Sequence, residues 1–540
     1  VGVVSVAAAM LAAGTGASAV QGWLPKDTVA YLEVRADLPG DQRAKVGDLL
    51  ARFPGFADQA SLDAKIDEAL ERLLEGQGTS WTKDIKPWLG GEIGAAITSA
   101  AFDVATMPDL GTIDLDGPDL GKAPDDGAVL LVAVKDAAAA KAWVAQELGG
   151  TQTTETYAGG EITIVSGLLK NNLAFAVRDT VLVMGPEKAV KTALDTKGSS
   201  PIASSESFAA ARKTAPSAYL GWGYLDLKAF VDAAVAGAGD AADVPQACLD
   251  QALAAIPAWA AGSLRAEDDA LVFTSTAPTA GEPPATKDSP SAVAKRLPAS
   301  TAVAIEIRDF GKGVVDGLET LKQQLACDAS TAEMVDGVEQ ALAALGGAEA
   351  LVGWADDAAV AVTVDGAAFG GGLAAVVTDE AAAGRTLDQL QSLLALGGGA
   401  AGVTSREEAY GGGTLLVVTI PSDAAGAEVP ELAVTVQGGV FALGTIDFVK
   451  DVVDTSGGGS LADDEVYRQA ISRAGGDGVS NVFVDLTAVR LGVEAMMPAD
   501  EKARYETEIK PFLEPFEAFA AVGKAPGATT ESRAVITFTK

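Results

Sequence analysis

The stretch LPKDTVAYLEVR, Leu24–Arg35, and the stretch LPASTAVAIEIRD, Leu297–Asp309, decide the reading of this chain, because they look like the openings of two copies of one unit. Both begin with Leu-Pro and then alternate as a strand. Leu32 and Val34 correspond to Ile305 and Ile307, and Glu33 and Arg35 to Glu306 and Arg308. Period-2 alternation puts the aliphatic side chains on one face of such a strand and the charges on the other.

The correspondence runs on in the same order. The amphipathic stretch SLDAKIDEALERLLEG, with Leu62, Ile66, Leu70 and Leu73 on one helical face, pairs with EMVDGVEQALAALGG, with Val335, Val338, Leu342 and Leu345. VLLVAVKDAAAAKAWVAQELGG pairs with LAAVVTDEAAAGRTLDQLQSLLALGG. Each of these reads as a strand followed by a helix with an Asp at its start and a Gly stop. YAGGEITIV from Tyr157 pairs with YGGGTLLVV from Tyr410, a tight glycine turn before a strand. YLGWGYLDLKAF pairs with VSNVFVDLTAVRL through Asp226-Leu227 and Asp485-Leu486. The expected fold class is α+β: two tandem, structurally similar repeats, each an antiparallel-rich mixed sheet with packed helices, preceded by an N-terminal apolar helix. The expected boundaries are 1–23 for a membrane anchor or signal remnant, 24–278 for the first repeat, 279–296 for a Pro/Ala-rich linker and 297–540 for the second repeat.

Composition narrows the function. Of 540 residues, 74 are acidic and 39 are Lys or Arg, a net charge of −35, which argues against nucleic acid as a partner. There is no histidine, so Ser-His-Asp and Cys-His catalysis, His-ligated metals and histidine pH switching are excluded. The opening run VGVVSVAAAMLAAGTGASAV carries no charge before Lys26. Two readings compete for it: an uncleaved membrane anchor, or a signal peptide with an A-x-A-like site at Ala17-Ser18-Ala19. Both place the remainder outside the cytoplasm. The two cysteines, Cys248 and Cys327, are a disulfide candidate there, and free buried thiols are the other reading.

Candidate chemistry is sparse. Ser80-Trp81-Thr82-Lys83 matches S-x-x-K, without the S-D-N and K-T-G elements that penicillin-binding proteins add; a polar turn is the plainer reading. Asp114, Asp116, Asp119 and Asp125 lie with Asp126 in a glycine-rich acidic stretch that offers oxygen ligands to calcium, although Pro118 and the glycine spacing do not fit an EF-hand. Acid pairs such as Asp356-Asp357 and Asp463-Asp464 are too frequent in so acidic a chain to nominate a hydrolytic pair. The triple glycines at 370–372 and 411–413 precede strands and lack G-K-[ST], so no nucleotide is expected. Trp81, Trp88, Trp222 and Tyr224 read as core or loop anchors.

LPKDTVAYLEV, LLARFPGF, ALERLLEGQGTSWTKDIKPWLGGEIGAAI and LLVAVKDAAAAKAWV together resemble domain-of-unknown-function family 3352, uncharacterised membrane-anchored extracytoplasmic bacterial proteins. Arg52-Phe53-Pro54 and Lys86-Pro87-Trp88-Leu89-Gly90 carry the resemblance most specifically. The second copy lacks the Phe-Pro element and keeps only Gly353-Trp354 near the other. The resemblance implies a short cytoplasmic segment, one spanning helix and a large external portion, and no reaction. The expected function is a membrane-tethered binding or scaffold module of the cell envelope, meeting a protein, polymer or lipid partner and the membrane through its N-terminal helix. Two alternatives stay open: an exported carboxylate- or metal-dependent hydrolase, and a carrier of lipid or another apolar ligand.

Overall fold

A computed structural model describes residues 18–56, 62–76, 78–101, 127–167, 171–238, 246–281, 286–325, 329–397, 403–420, 431–455 and 459–539. The chain divides into two units, Val1–Val244 with Leu253–Glu282, and Pro245–Ala252 with Pro283–Lys540. Both mix helices with a large antiparallel sheet. Of the expected N-terminal segment 1–23, residues 1–17 lie outside the described residues and Val20–Trp23 form a short 3-10 turn with Val20 and Trp23 buried in the first unit; no described helix is long and apolar enough to cross a membrane.

Among its described residues the first unit has ten strands: β1 (Thr28–Arg35), β2 (Leu89–Thr98), β3 (Ala128–Val134), β4 (Thr151–Tyr157), β5 (Gly160–Ser166), β6 (Leu173–Arg178), β7 (Val181–Pro186), β8 (Gly221–Leu225), β9 (Ala260–Glu267) and β10 (Ala270–Pro278). All neighbours are antiparallel, in the order β4-β5-β6-β7-β3-β2-β1-β8-β9-β10. The second unit's described strands are β11 (Thr301–Ile307), β12 (Ala355–Asp365), β13 (Ala368–Val377), β14 (Thr404–Tyr410), β15 (Gly413–Thr419), β16 (Leu432–Gln437), β17 (Val440–Thr445), β18 (Ser480–Asp485), β19 (Phe516–Gly523) and β20 (Thr529–Phe538). Their order is β14-β15-β16-β17-β13-β12-β11-β18-β19-β20, again antiparallel throughout.

Local chemistry explains many of these elements. The Tyr157–Gly160 hairpin turns through Ala158 and Gly159, both at positive φ, and the Tyr410–Gly413 hairpin through Gly411 and Gly412, as a two-residue turn that follows the strand twist requires. Helices begin where an Asp accepts their free N–H groups. Asp136 bonds Ala138 and Ala139 at 3.0 Å, Asp226 bonds Ala229 at 3.0 Å, Asp379 bonds Ala382 at 3.0 Å and Asp485 bonds Ala488 at 2.7 Å.

Burial inverts the ordinary sense of the alternation in β1 and β11. Glu33, Arg35, Glu306 and Arg308 are buried, whereas Leu32 is 54% exposed and Ile305 47% exposed. The charged face of β1 is the face that packs on the core of Val20, Trp23, Tyr31, Phe208, Trp222 and Tyr224. A second apolar layer, with Ile66, Leu70, Trp81, Trp88, Val132 and Phe175, covers the opposite face. Ile93 belongs to that layer and stands opposite Val34, so Leu32 and Val34 lie on the same face where the covering layer gives out.

The buried charges form a closed network. Glu33 accepts hydrogen bonds from the Tyr31 hydroxyl at 2.6 Å, the Tyr219 hydroxyl at 2.7 Å, Gln21 Nε2 at 2.8 Å and Ser18 Oγ at 2.9 Å. Arg35 pairs with Glu92 at 2.9 Å and donates from Nε to Asp37 at 2.7 Å. Glu92 accepts in turn from the backbone N–H of Ala19 at 2.6 Å and of Val20 at 3.3 Å, which pins the short 3-10 turn Val20–Trp23 against the sheet. In the second unit Glu306 accepts from the Tyr467 hydroxyl at 2.7 Å, Arg308 sits 3.4 Å from Glu306 and 3.7 Å from Asp357, and Asp357 accepts from the Ala292 N–H at 2.6 Å. The turn Val293–Lys295 follows, with Val293 and Ala294 buried.

Removing one member of a buried ion network leaves its partners uncompensated, at a cost of about 3–5 kcal/mol. Arg35→Met is therefore expected to lower the stability of the first unit by about that amount in urea unfolding, whereas Arg72→Met, which breaks the exposed Arg72–Glu68 pair of the same unit, leaves the unfolding midpoint nearly unchanged. Burial, and then the Glu33 charge, push the Glu92 carboxyl above the usual range. A raised carboxyl pKa in the folded state contributes stability that is present at low pH and is lost as pH rises through the folded pKa. The melting temperature of Glu92→Gln, minus that of the unaltered chain, is expected to grow more positive as pH rises through that window; a pH-independent difference would refute the assignment.

Candidate functional site

The residues singled out from sequence scatter. Asp114, Asp116, Asp119 and Asp125 lie outside the described residues, and no group of three or more metal-ligating side chains occurs among the described ones. Cys248 is disulfide-bonded; residue 327, the only other cysteine, is outside the described residues.

The remaining candidates have structural partners. Ser80 Oγ accepts from the Lys83 backbone N–H at 3.3 Å, and the Ser80 N–H donates to Asp84 Oδ2 at 2.8 Å, a reciprocal cap on the turn Trp81–Ile85. Asp357 belongs to the buried Arg308 network. Asp463 accepts from the Ser460 N–H at 3.2 Å and hydroxyl at 2.7 Å, and Asp464 caps Tyr467 N at 2.8 Å. Trp81 and Trp222 are buried core side chains. Ser80→Ala is expected to cost about 1 kcal/mol of stability, read as a lower unfolding midpoint, in keeping with the loss of a cap.

What the sequence reading missed is the uncovered face of the first sheet. Strand β8 reads Gly-Trp-Gly-Tyr-Leu, and its alternation sends Trp222 and Tyr224 into the core while Gly221 and Gly223 take the outer positions. The outer floor there therefore has no side chain. Gly262 of β9 lies under the Phe273 ring, where a Cβ would approach within 2.9 Å of it. Leu32, Val34, Leu225, Leu264 and Phe273 stand around this floor and line a shallow, open trough of about 530 Å³. Phe273 is 47% exposed. Among the described residues no acidic or basic side chain lines the trough, in a chain with a net charge of −35.

The site has the size and largely apolar lining of a ligand cleft, with Ser275 as its polar side chain among the described residues. The signal in the sequence was the Gly-x-Gly of YLGWGYL beside the outward aliphatics of β1. It was readable only by knowing which face of β1 is covered. The second unit also exposes Ile305, Ile307 and Val360 on its sheet. The helix Leu486–Met496 approaches part of that face, since a Cβ on Gly492 would meet Val364 and Phe369.

Comparison with known proteins yields one family. The profile of DUF3352, described as a protein of unknown function, matches residues 46–536. No curated protein matches. Among solved structures, crystal form I of TP0453 is similar over 49% of this chain and 81% of its own, at 8% identity and a TM-score of 0.23. Crystal form IV of TP0453 is similar over 48% of this chain and 79% of its own, at 10% identity and a TM-score of 0.24.

Proposed function

The chain belongs to the DUF3352 family, whose function is unknown, and we propose that it is a non-catalytic binding module working outside the cytoplasm, one that holds an apolar ligand in the trough of its first sheet. The observation that carries this reading is the inverted strand. Glu33 and Arg35 are spent inside, so Leu32, Val34, Leu264 and Phe273 face outward around a glycine floor. An apolar patch of this kind on a water-soluble surface marks a binding site. The uncharged opening run and the bonded state of Cys248 support an extracytoplasmic setting, and the residues ahead of Ser18 supply the tether in this reading.

The same proposal treats the chain as one unit duplicated. The two strand orders correspond position by position, and so do the buried charges Glu33–Arg35–Glu92 and Glu306–Arg308–Asp357, while the tyrosine hydroxyl on the glutamate comes from different elements, Tyr219 ahead of β8 and Tyr467 in the helix Glu465–Arg473. A surface cluster repeats as well. Tyr157 bonds Asp195 at 2.9 Å under Lys191, which pairs with Glu155, and Tyr410 bonds Asp454 at 2.6 Å under Lys450, which pairs with Glu408.

The test fills the trough without disturbing the core. A Cβ on Gly223 meets nothing closer than 3.8 Å, so Gly223→Val adds bulk where there is room and favours the strand conformation. Titration of the chain with a fluorescent fatty acid is expected to show one saturable site, weakened at least about tenfold in Gly223→Val, with the melting temperature kept or raised. Equal binding by both proteins, or none by either, would overturn the proposal.

A further inference from the structure

Resting on the duplicated-unit reading, and independent of the trough, we infer that the groove between the helices Phe310–Leu325 and Ala329–Ala344 of the second unit docks a tryptophan-bearing turn of a partner protein. The argument is a comparison of one helix in its two settings. IDEALERL, residues 66–73, aligns with VEQALAAL, residues 338–345, so Ile66 corresponds to Val338, Asp67 to Glu339 and Leu70 to Leu342.

In the first unit this helix is covered by the chain's own next segment. Trp81, Ile85 and Trp88 lie in the same apolar cluster as Ile66, Leu70 and Leu74. The Trp81 indole N–H donates to Asp67 Oδ1 at 2.9 Å, and Lys86 pairs with the same carboxylate. Ile66 is left only 3% exposed.

In the second unit the segment after the helix folds instead into the short helix Ala348–Val352, which packs against Phe310–Leu325 and leaves Val338 uncovered. The connection from Leu345 to Asp357 is shorter than that from Leu73 to Glu92, and nothing in it replaces Trp81. Trp354, which it does keep, is used elsewhere. Its ring centroid lies 5.3 Å from that of Phe441, and its indole N–H donates to Thr386 Oγ1 at 3.1 Å. The helix is uncovered as a result: Val338 is 51% exposed, against 3% at Ile66. Val315, Leu318, Leu321, Val335, Val338 and Leu342 line an open groove of about 540 Å³.

The lip of the groove names the occupant. Glu339 aligns with Asp67 in sequence and is paired with Lys322 of the preceding helix, where Asp67 is paired with Lys86 of the segment that follows. The cation of the first unit's arrangement is therefore supplied, and the aliphatic bed is in place. What the arrangement lacks is the indole, which would bury its ring on Val338 and Leu342 and donate its N–H to the acid at the lip. An acyl chain fits the bed but has no use for that acceptor. Tryptophan is also the side chain most enriched among residues that dominate binding energy at protein interfaces.

The probe is a synthetic, fluorescein-labelled peptide with the sequence of residues 80–90, SWTKDIKPWLG, titrated against the whole chain by fluorescence anisotropy. Saturable binding is expected. It should weaken at least about tenfold when the peptide carries Trp81→Ala or the chain carries Val338→Asp, and several-fold in Glu339→Gln. Val338 and Glu339 are exposed, so both variant chains are expected to melt with the unaltered one; should Val338→Asp fail to fold, Glu339→Gln still decides. Absence of saturation, indifference to Trp81→Ala, a copurifying acyl ligand lost in Val338→Asp, or self-association of the chain abolished by Val338→Asp would each overturn the inference. None of these results bears on the trough, which Gly223→Val tests separately.

Discussion

A guanidinium buried between carboxylates is the constraint on which the rest of this structure depends. Arg35 cannot be left in the interior without its acids, and Glu33, Asp37 and Glu92 cannot be left there without Arg35 and the hydroxyl and amide donors around them. Satisfying that set brings together strands β1 and β2, Tyr219 just before β8, and the turn Val20–Trp23 that precedes the whole sheet. An apolar core of the same shape could be as stable. The ionic set adds specificity of register, because a one-residue slip of β1 would turn Glu33 and Arg35 outward and strand the Tyr219 hydroxyl and the Ala19 amide.

This arrangement has a consequence on the other side of the sheet. A strand has two faces, and giving the covered one to charge leaves the aliphatic one for whatever lies opposite. Along β2, β3 and β7 a layer of helices and tryptophans covers that second face. At β1, β8, β9 and β10 the layer ends, and glycines at 221, 223 and 262 keep the surface low. The apolar trough is thus a product of how charge was placed inside.

The abundance of acid bears on function chiefly by what it is occupied with. Asp136, Asp226, Asp379, Asp464 and Asp485 cap helices, Asp463 caps a turn, and Glu33, Glu92, Glu306 and Asp357 hold the interior. Tyr157 and Tyr410 use further acids to fasten hairpins to helices. Carboxylates bound to such tasks are held in fixed geometry by their donors, and among the described residues none lines the trough of the first sheet. The surplus on the outside keeps a protein with exposed aliphatic patches dispersed in water.

The order of strands and helices, the Asp caps at the Asp-Leu pairs and the two-residue glycine hairpin were legible in the sequence, because each is set by contacts between near neighbours: a side-chain oxygen two or three residues from the amide it accepts, or a turn whose dihedral angles demand glycine. The alternation of β1 was legible too. Which of its faces is buried was decided only by tertiary structure, since Glu33 becomes tolerable inside only when Tyr219, distant in sequence, delivers its hydroxyl, and Arg35 only when Glu92 arrives from β2. The trough and the uncovered helix at Val338 have the same origin. An exposed aliphatic and a buried one are spelled alike, and the difference lies in whether a remote segment such as Trp81 comes to cover it.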